Sequence, residues 1–409
     1  MSATHIPASA SPSNWNRSYE WKAITLLTLG LGLVGLDRFI IAPLFPVMQK
    51  DLGLSYQDFG LVSAALAIAW GVAAVWTGSL SDRIGRKHVL LPALVAFSLL
   101  SACTGIASGM MSLILIRAVM GVAEGAYLPA SIVSVVDAAK PTRTGLMVGI
   151  QMTAQPFLGL GLAPIIAVAL LKVVPSWHWV FGIVAIPGLI LALFMWKVLR
   201  RDIPQHRVTG EKAPSHFKDV VRYRAVWANT IAQFCMLSCI IPMSAFLPSY
   251  LTDHLKLSLD QMGMVLAGQG VGSLVGMIAV PALSDKFGRK PTILVALILG
   301  LIAWGALLGL GANPPALFAA VAIGSLMVSG CIAITVGPLT TEAVPAAVAA
   351  SASGLVVGVG EIVGGALAPA LVGGLAQGVG IDIIPKFAFA AVAVALIVVA
   401  LGVRGKKAL

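Results

Sequence analysis

Long apolar stretches separated by short polar segments dominate this chain from residue 23 onward. The first stretch has no charge from Ala23 to Leu36, and after two charged residues it continues uncharged from Phe39 to Met48. A helix that crosses a bilayer needs about 20 predominantly apolar residues. By that length the pattern predicts twelve membrane-spanning helices, at residues 23–48, 56–79, 88–108, 111–138, 143–172, 178–199, 225–252, 259–283, 290–311, 314–341, 346–377 and 380–404.

The composition agrees with a membrane protein. Hydrophobic residues make up 58% of the chain and charged residues 11%, with a mean hydropathy of +0.96, whereas soluble domains are roughly 25% charged. The four cysteines lie inside predicted helices at spacings that do not suit metal binding, and the six histidines fall in loops, tails or helix ends. The sequence therefore predicts no enzyme, no catalytic residues, no metal site and no cofactor.

The net charge of +11 is divided unevenly between the two sides of the predicted helices. With a cytoplasmic amino terminus, the inner loops and tails hold 21 Lys and Arg residues and the outer loops hold 4. Positive residues accumulate in the cytoplasmic loops of membrane proteins. The bias predicts a multi-pass protein of a bacterial-type inner (plasma) membrane with both termini cytoplasmic, and it explains the basicity without nucleic acid. Residues 1–22 are polar, without a signal-peptide core, which predicts a disordered cytoplasmic tail.

The chain repeats its own landmarks. GSLSDRIGRK at 78–87 returns as PALSDKFGRK at 281–290, and GLAP at 161–164 returns as ALAP at 366–369. Six helices followed by six similar helices in the same orientation imply two bundles related by an axis along the membrane normal. We therefore predict an all-α fold in four parts. These are the tail at 1–22, an N-terminal bundle at 23–199, a charged cytoplasmic linker at 200–222 and a C-terminal bundle at 223–409.

Both repeated segments fall in the loop that follows the second helix of each predicted half. Gly85 and Gly288 permit a tight turn, and the cations hold the loop on the cytoplasmic side. Twelve helices in two halves with this loop resemble the major facilitator superfamily, whose loop motif the second copy matches except at Pro281. The resemblance implies a latch whose contacts differ between outward-open and inward-open states, and a role in topology alone is the simpler alternative. The residues with this predicted conformational role are Gly78, Asp82, Arg83, Gly85, Arg86, Lys87, Asp285, Gly288, Arg289 and Lys290.

Five ionisable residues remain inside the predicted helices, namely Asp37, Arg38, Arg117, Glu124 and Glu361. A charge at the bilayer centre costs at least about 2.5–3.5 kcal/mol, so such residues normally face a cavity and pair with one another. A structural ion-pair network that only joins helices is the simpler interpretation. Because two bundles meet around a central space and five such groups are present, we favour a functional site.

The spacing of four of these residues predicts one cluster in the N-terminal half. Arg117 and Glu124 are seven residues apart, which places them within about 20° on one helix and roughly 10 Å apart along its axis. Asp37 and Arg38 are neighbours about 100° apart, so one can face the cavity while the other faces another helix. The depth of this pair falls between those of Arg117 and Glu124.

The same residues carry a narrower resemblance. An Asp-Arg pair in the first helix, followed by RAVMGVAEGAYLPA in the fourth, resembles the anion:cation symporter branch, which includes sugar-acid and other organic-anion transporters. The resemblance implies proton coupling at Asp37 and Glu124. It also implies that Arg38 and Arg117 pair with these acids or with a substrate carboxylate, and that Gln155 contacts the substrate. Arginine offers a planar fork that fits a carboxylate, so an arriving anion can release an acid to take a proton.

Glu361 departs from that pattern. In the sugar-acid members a neutral polar residue stands at the equivalent place in the eleventh helix. Glu361 can serve as a second proton-coupling site, donate a hydrogen bond to the substrate when protonated, or indicate a substrate that carries a positive group. A protonated side chain bound to a backbone carbonyl, without a role in transport, is an equal alternative.

Two aromatic residues are further candidates for substrate contact. Tyr127 follows Glu124 by three residues, and Trp70 lies in the middle of the second helix, where its ring can stack on a substrate. Interhelical hydrogen bonding is the commoner role of polar groups in membrane helices.

The sequence thus predicts a monomeric secondary active transporter that couples protons to the symport of a small organic anion by alternating access. A sugar acid, an aromatic acid or a dicarboxylate would suit the arginines. A proton-driven antiporter that exports amphipathic or cationic compounds is the alternative, although the fifth helix lacks the G-P-x-x-G-G motif associated with antiporters. A ligand sensor that does not transport is a further alternative.

Overall fold

A computed structural model describes residues 15–140, 143–200, 220–344 and 346–403. Helices joined by short loops make up these ranges, and they contain no strand. Twelve helical spans within them are long and apolar enough to cross a membrane, which confirms the predicted number. The side chains that lie outside this description within the helices are those of residues 75, 76, 78, 79, 82, 83, 144–146 and 346–351.

Six spans form each half of the molecule. Those of the N-terminal half are α1 (Arg17–Leu52), α2 (Tyr56–Ala74), α3 (Arg86–Thr104), α4 (Met110–Ala138), α5 (Met147–Leu171) and α6 (Trp177–Val198). Those of the C-terminal half are α7 (Arg224–His254), α8 (Leu259–Phe287), α9 (Arg289–Ala306), α10 (Pro314–Leu339), α11 (Ala352–Val379) and α12 (Ile383–Gly402). Three of these helices are longer than their spans. Helix α2 continues to Ile84, helix α5 begins at Thr144 and helix α11 begins at Ala346.

Side chains that cap helices set several of these boundaries. The Ser55 side chain accepts a hydrogen bond from the Asp58 amide while the Asp58 carboxylate accepts one from the Ser55 amide, which forms a capping box at the start of α2. Ser258 forms the equivalent box at the start of α8. The predicted tight turns within the two loop motifs are confirmed, because Gly85 and Gly288 have φ values of 92° and 86°.

The two halves share an irregularity in equivalent helices. A π-helical turn occupies Phe157–Leu162 in α5 and Glu361–Leu367 in α11. Each turn is followed within two residues by a proline, Pro164 in α5 and Pro369 in α11. Proline lacks an N–H and its ring crowds the carbonyl four residues earlier, so the helix widens before it. Such π turns frequently occur at functional sites, and the one in α11 begins with Glu361.

The start of α1 differs from the prediction of a disordered tail at 1–22. The helix begins at Arg17, and the Asn16 side chain caps it by accepting a hydrogen bond from the Tyr19 amide at 3.0 Å. The prediction is therefore wrong for the last part of that segment. Two predicted segments lie outside the described ranges, at 1–14 and 201–219.

Glu20 explains why this polar segment is ordered. Its buried carboxylate accepts hydrogen bonds from the Lys140 amide at 2.9 Å and from Trp15 Nε1 at 3.1 Å, and it pairs with the Arg143 guanidinium. These contacts hold the first turn of α1 against the loop between α4 and α5. Hydropathy alone does not reveal them, because Lys140 and Arg143 are more than a hundred residues away in sequence.

One end of the bundle, here called the motif end, holds both repeated loops. The start of α1 and the end of α12 lie there too. The two halves pack closely at the other end, here called the far end. Phe59 of α2 meets Phe246 of α7 edge to face, with ring centroids 5.4 Å apart. Tyr56 Oη donates a hydrogen bond of 2.8 Å to the Asp253 carboxylate. The far end is thus closed by both apolar and polar contacts.

Helices α5 and α8 form a second contact between the halves. A Cβ atom on Gly270 would lie 2.0 Å from the Cα atom of Gly161, so only glycine permits this approach. Nearer the far end, Lys172 forms an ion pair with Asp260. The intramembrane charges described next lie between this closed end and the motif end.

Candidate functional site

The five predicted intramembrane charges differ in how far they are buried. Asp37, Arg117 and Glu124 have relative exposures of 3%, 2% and 0%. The side chains of Arg38 and Glu361 are 9% and 17% exposed. Arg38 and Glu361 are therefore the members of the group that remain most accessible.

Arg38 pairs with Glu361 across the two halves. Arg38 Nη2 lies 3.1 Å from Glu361 Oε2, which joins α1 to the π turn of α11. Gly365 leaves the room for this pair, because a Cβ atom there would lie 2.7 Å from Glu361 Oε2 and 3.6 Å from Arg38 Nη2. The predicted cluster confined to the N-terminal half is thus corrected. It includes Glu361 because α11 packs along α2 and the Glu361 side chain reaches Arg38 of α1.

Asp37 turns toward a different helix from its neighbour Arg38. Its Oδ1 atom accepts a hydrogen bond of 2.8 Å from Ser101 Oγ on α3. The predicted divergence of the two side chains is confirmed, and it follows from the 100° rotation between successive helical residues. Sequence reasoning missed Ser101, since a single serine in an apolar helix carries no distinguishing signal.

Arg117 and Glu124 lie buried on α4 with much of their hydrogen-bonding capacity unused. Arg117 Nη1 donates to the main-chain oxygen of Asp37 at 2.9 Å, so this arginine contacts the backbone instead of the acids that the resemblance implied. Its Nε and Nη2 atoms and both carboxylate oxygens of Glu124 have no hydrogen-bond partner. Glu124 lies within electrostatic range of Arg117, Asp37 and Arg38. Unsatisfied polar groups in an apolar interior are costly, so the Glu124 oxygens are suited to take a proton and the Arg117 nitrogens are suited to donate to a polar ligand group.

Aromatic rings flank Arg38. Its Cζ atom lies 5.7 Å from the ring centroid of Phe39 and 5.9 Å from that of Trp70, within the range of cation–π attraction. The buried Nε1 atom of Trp70 has no hydrogen-bond partner. The structure therefore places Trp70 beside the ion pair, with an unused donor.

Gln155 lies on α5 next to the charged turn of α1. A Cβ atom on Gly35 would lie 2.3 Å from the main-chain oxygen of Gln155, so the two backbones touch. Gly35 precedes Asp37 by two residues, and the Gln155 side chain is half-buried. Gln155 is thus near the cluster on the side of α5.

Gln233 brings a second amide from the C-terminal half. A Cβ atom on Gly360 would lie 2.8 Å from Gln233 Cγ, which places this side chain of α7 next to the residue that precedes Glu361. The buried Gln233 Oε1 atom has no hydrogen-bond partner. It is an unused acceptor close to the ion pair.

Tyr127 does not reach this site, so the prediction that it contacts the substrate is wrong. Its side chain is fully buried, with Oη 3.4 Å from the main-chain oxygen of Leu27 and the ring edge-on to Phe97. These neighbours form part of the apolar core of the N-terminal half. Three residues beyond Glu124 the helix has rotated by about 60° from it, which directs Tyr127 toward α1 and α3.

A small cavity between the halves is lined by both arginines. Its volume is about 40 Å³. Since each water needs roughly 10–15 Å³ of such volume, the cavity has room for a few water molecules and is too small for a sugar in this conformation. Its lining includes Arg38, Arg117, Phe59, Val62, Ile241 and Gly365.

The first loop motif binds the ends of neighbouring helices at the motif end. Arg86 pairs with Asp137 near the end of α4. Lys87 Nζ donates a hydrogen bond of 2.6 Å to the main-chain oxygen of Leu199, just after α6. These contacts join the start of α3 to two other helices of its half.

The second loop motif repeats this arrangement. Arg289 pairs with Asp285, and its Nη2 atom lies 3.0 Å from Oε1 of Glu342, just after α10. Lys290 Nζ donates a hydrogen bond of 2.8 Å to the main-chain oxygen of Ala400 on α12. The two copies thus contact equivalent helices, each within its own half. Three residues of the predicted motif, Gly78, Asp82 and Arg83, lie outside the residues whose side chains the structure describes.

No metal centre accompanies these charges in the part of the chain that the structure describes. Groups of three or more His, Cys, Asp or Glu side chains that could hold a metal ion do not occur there. The cysteines are free thiols, and Cys235, Cys239 and Cys331 are buried.

Two repeated six-helix halves with acids and bases buried at their contact define the architecture of a secondary transporter. The family model of the Major Facilitator Superfamily matches residues 27–369 and, in a second match, 241–407. The chain belongs to this superfamily, as the loop motif indicated. The superfamily and the relatives described below are transporters, in agreement with the prediction that the protein is not an enzyme.

Similar proteins include transporters of organic acids and one named for drug resistance. The chain is 29% identical to the hexuronate transporter of Bacillus subtilis over an alignment of 267 residues, and the match covers 62% of this chain and 62% of that one. It is 27% identical to the gallate transporter of Pseudomonas putida over 331 residues, covering 71% of this chain and 72% of that one. It is 28% identical to the chloramphenicol resistance protein CraA of Acinetobacter baumannii over 270 residues, covering 63% of this chain and 62% of that one.

Solved structures share the fold. A bacterial homologue of the human lysosomal transporter Spinster, in an inward-facing and occupied conformation, superposes with a TM-score of 0.78. The two sequences are 15% identical, and the superposition covers 94% of this chain and 96% of that one. This similarity confirms the predicted all-α, two-bundle fold.

Proposed function

We propose that this protein is a proton-coupled symporter of a small organic anion that works by alternating access. The observation that carries the proposal is the row of alternating acids and bases at the contact between the halves. Arg38 and Glu361 pair across that contact, and Asp37, Arg117 and Glu124 lie buried beside them. Relatives named for hexuronate and gallate transport support an organic acid as the substrate.

Arg38 is the residue that we expect to bind the substrate carboxylate. It is more accessible than Arg117, and its planar guanidinium can hold a carboxylate through two hydrogen bonds. Trp70, whose ring lies beside Arg38, and Gln155, whose backbone touches α1 at Gly35, are the residues that we expect to contact the rest of the substrate. A sugar acid, an aromatic acid or a dicarboxylate has the groups for such a site. Arg117 supports it by holding the backbone of Asp37.

Asp37, Glu124 and Glu361 are the groups that we expect to carry the coupled proton. A carboxyl group beside a cation gives up its proton more readily, and one that loses that cation takes the proton back. A substrate anion that occupies Arg38 therefore favours protonation of the acids around it. This competition links anion binding to proton uptake without any cofactor.

Alternating access would follow from rocking of the two halves about this site. The far end is closed by the contacts of Phe59 with Phe246 and of Tyr56 with Asp253. With both termini cytoplasmic, as proposed for a bacterial-type inner membrane, the described conformation is closed to the outside. The loop contacts at the motif end would change in the opposite state. We further propose that the monomer is the transporting unit, because the site lies within one chain.

Uptake into proteoliposomes tests the proposal. Purified protein is reconstituted, an inward proton gradient is imposed, and accumulation of labelled D-glucuronate, gallate and succinate is followed with and without a protonophore. We expect accumulation of at least one acid that the protonophore prevents. Arg38→Ala should abolish it. The control is Asp382→Asn, a partly exposed acid in the last loop whose pKa is lowered mainly by its hydrogen bond with Lys386.

Export of amphipathic or cationic compounds is the second candidate function. The similarity to a chloramphenicol resistance protein and the acid Glu361 in the C-terminal half favour it. The same vesicles decide between the two. A proton-driven exporter would expel a preloaded cationic dye in exchange for protons that enter down the inward gradient, and it would take up no acid. A sensor would do neither and would bind its ligand without turnover.

A further inference from the structure

We propose that Glu361 is a built-in competitor for the substrate, which occupies Arg38 when no anion is bound and leaves it only on taking a proton. The inference rests on the proposed function and assigns a role to the residue that departs from the family pattern. It predicts that anion binding at Arg38 consumes one proton at Glu361, in addition to any proton at Asp37 or Glu124.

The geometry around the pair supports a site built for exchange. The Glu361 carboxylate makes a single contact of 3.1 Å with one nitrogen of Arg38, which leaves the other guanidinium nitrogens available. Gly365 provides a recess at the carboxylate that any larger residue would fill. Both side chains are less buried than the acids behind them. A substrate carboxylate can therefore approach the same guanidinium on which Glu361 rests.

The charges that face Glu361 come from one direction. Helices α2 and α7 pack against the π turn of α11. Helix α7 has no Asp, Glu, Lys, Arg or His between Arg224 and Asp253, and its Gln233 side chain lies against Gly360, next to Glu361. The ionisable residues of α2 lie at its two ends, and α11 has none besides Glu361. Among the described side chains, Arg38 is thus the cation that pairs with Glu361.

The exchange balances in charge and protons. Before binding, the carboxylate of Glu361 is paired with the guanidinium of Arg38. After binding, the substrate carboxylate holds Arg38 and Glu361 carries a proton taken from the aqueous space between the halves. Without that proton, two carboxylates would share one cation in a medium of low dielectric constant, which disfavours binding. With it, the tie between α1 and α11 is released and the halves are free to move.

Titration calorimetry on the whole purified protein tests the proposal, with D-glucuronate and gallate as probes. Binding in buffers of different ionisation enthalpy gives the number of protons taken up. We expect the wild type to bind more tightly as the pH falls. Glu361→Gln should bind about tenfold more tightly at neutral pH, which corresponds to about 1.4 kcal/mol. It should also take up about one proton fewer per anion bound.

A second pair of variants keeps the charge and changes only the space. Gly365→Ala places a methyl group against Glu361 Oε2 and should displace the carboxylate from Arg38, so that anions bind more tightly than in the wild type. Gly358→Ala is the control, because a Cβ atom at Gly358 has no neighbour within 4 Å. This pair supplies the test if Glu361→Gln does not fold.

The outcomes separate this inference from the proposed function. Tighter binding and a smaller proton uptake in Glu361→Gln support the competitor role. If an acid binds the wild type but Glu361→Gln binds it with equal or lower affinity and the same proton uptake, Glu361 is not a competitor and the symport proposal stands. If neither probe binds any variant at any pH, the proposed anion site and the competitor role are both wrong.

Discussion

Ser101 Oγ donates a hydrogen bond of 2.8 Å to Asp37 Oδ1, which fixes the acid of α1 against α3. Because an asparagine oxygen can accept the same bond, Asp37→Asn should fold normally while losing the ability to carry a proton. We expect this variant to lose proton-driven accumulation and to retain counterflow exchange of labelled substrate. Both are measured in proteoliposomes, with and without an imposed gradient.

The control for this prediction removes the hydrogen bond and keeps the acid. Ser101→Ala should retain accumulation, with a rate reduced by a few fold because Asp37 is held less firmly. Full accumulation by Asp37→Asn would exclude Asp37 from proton coupling and leave Glu124 and Glu361 as the candidates.

Arg117 offers a prediction about stability as well as transport. Removing one partner from a buried group of charges costs about 3–5 kcal/mol, since the remaining charge is left uncompensated. Arg117→Ala should therefore lower the melting temperature of the protein by several degrees and abolish transport. Adding Glu124→Gln to the same chain removes the uncompensated acid. It should restore most of the melting temperature but not transport, and both are read by intrinsic fluorescence on heating and by uptake.

The comparison of these two variants distinguishes a charge effect from a packing effect. Arg117 also donates to the backbone of Asp37, and that bond is lost in both variants. If Arg117→Ala with Glu124→Gln melts as low as Arg117→Ala alone, the stability of this region depends on the backbone contact and not on the buried charge.

The sequence predicted the fold far better than the partners within the site. Twelve spans and the repeat followed from hydropathy and from two loop motifs, because both are local patterns. The separate directions of Asp37 and Arg38 followed from helical geometry. The pairing of Arg38 with Glu361 did not, since it depends on how α11 lies against α2 and α1. The residues near Arg38 and near Glu361 in sequence do not indicate how these helices pack.

The corrections for Tyr127 and for residues 17–22 have the same physical origin. Tyr127 was expected at the site because it is close to Glu124 in sequence, yet a rotation of about 60° buries it in the core of one half. Residues 17–22 were assigned to a tail because they are polar, yet Glu20 finds its partners on another loop. In both places a contact between distant segments decided the outcome over local composition.

Glu20 provides a prediction for the motif end. Its buried carboxylate accepts from Trp15, Lys140 and Arg143, so Glu20→Gln removes an ionic partner from Arg143 and leaves an amide in its place. A hydrogen bond to a charged group contributes about 1.5–3 kcal/mol. We expect faster hydrogen exchange, by about tenfold or more, in the first two turns of α1, measured by mass spectrometry.

Arg143→Lys is the matched variant, because lysine keeps the charge but cannot form the two-pronged contact with Glu20. It should increase exchange in the same turns to a smaller extent. Unchanged exchange in both variants would show that the ion pair of Glu20 with Arg143 does not order this segment.

Tyr56 tests whether the contacts at the far end hold the described conformation. Its hydroxyl donates to the Asp253 carboxylate at 2.8 Å, and the bond joins the start of α2 to the end of α7. Tyr56→Phe removes that bond and leaves the ring in place, so the closed far end loses about 1.5–3 kcal/mol. We expect the distance between spin labels on the two halves at the far end to shift toward a longer, open population in the absence of ligand. Tyr223→Phe, just before α7 at the motif end, is the control and should leave the distribution unchanged. A Tyr56→Phe distribution identical to that of the wild type would mean that apolar packing, such as that of Phe59 on Phe246, closes this end without help from the hydrogen bond.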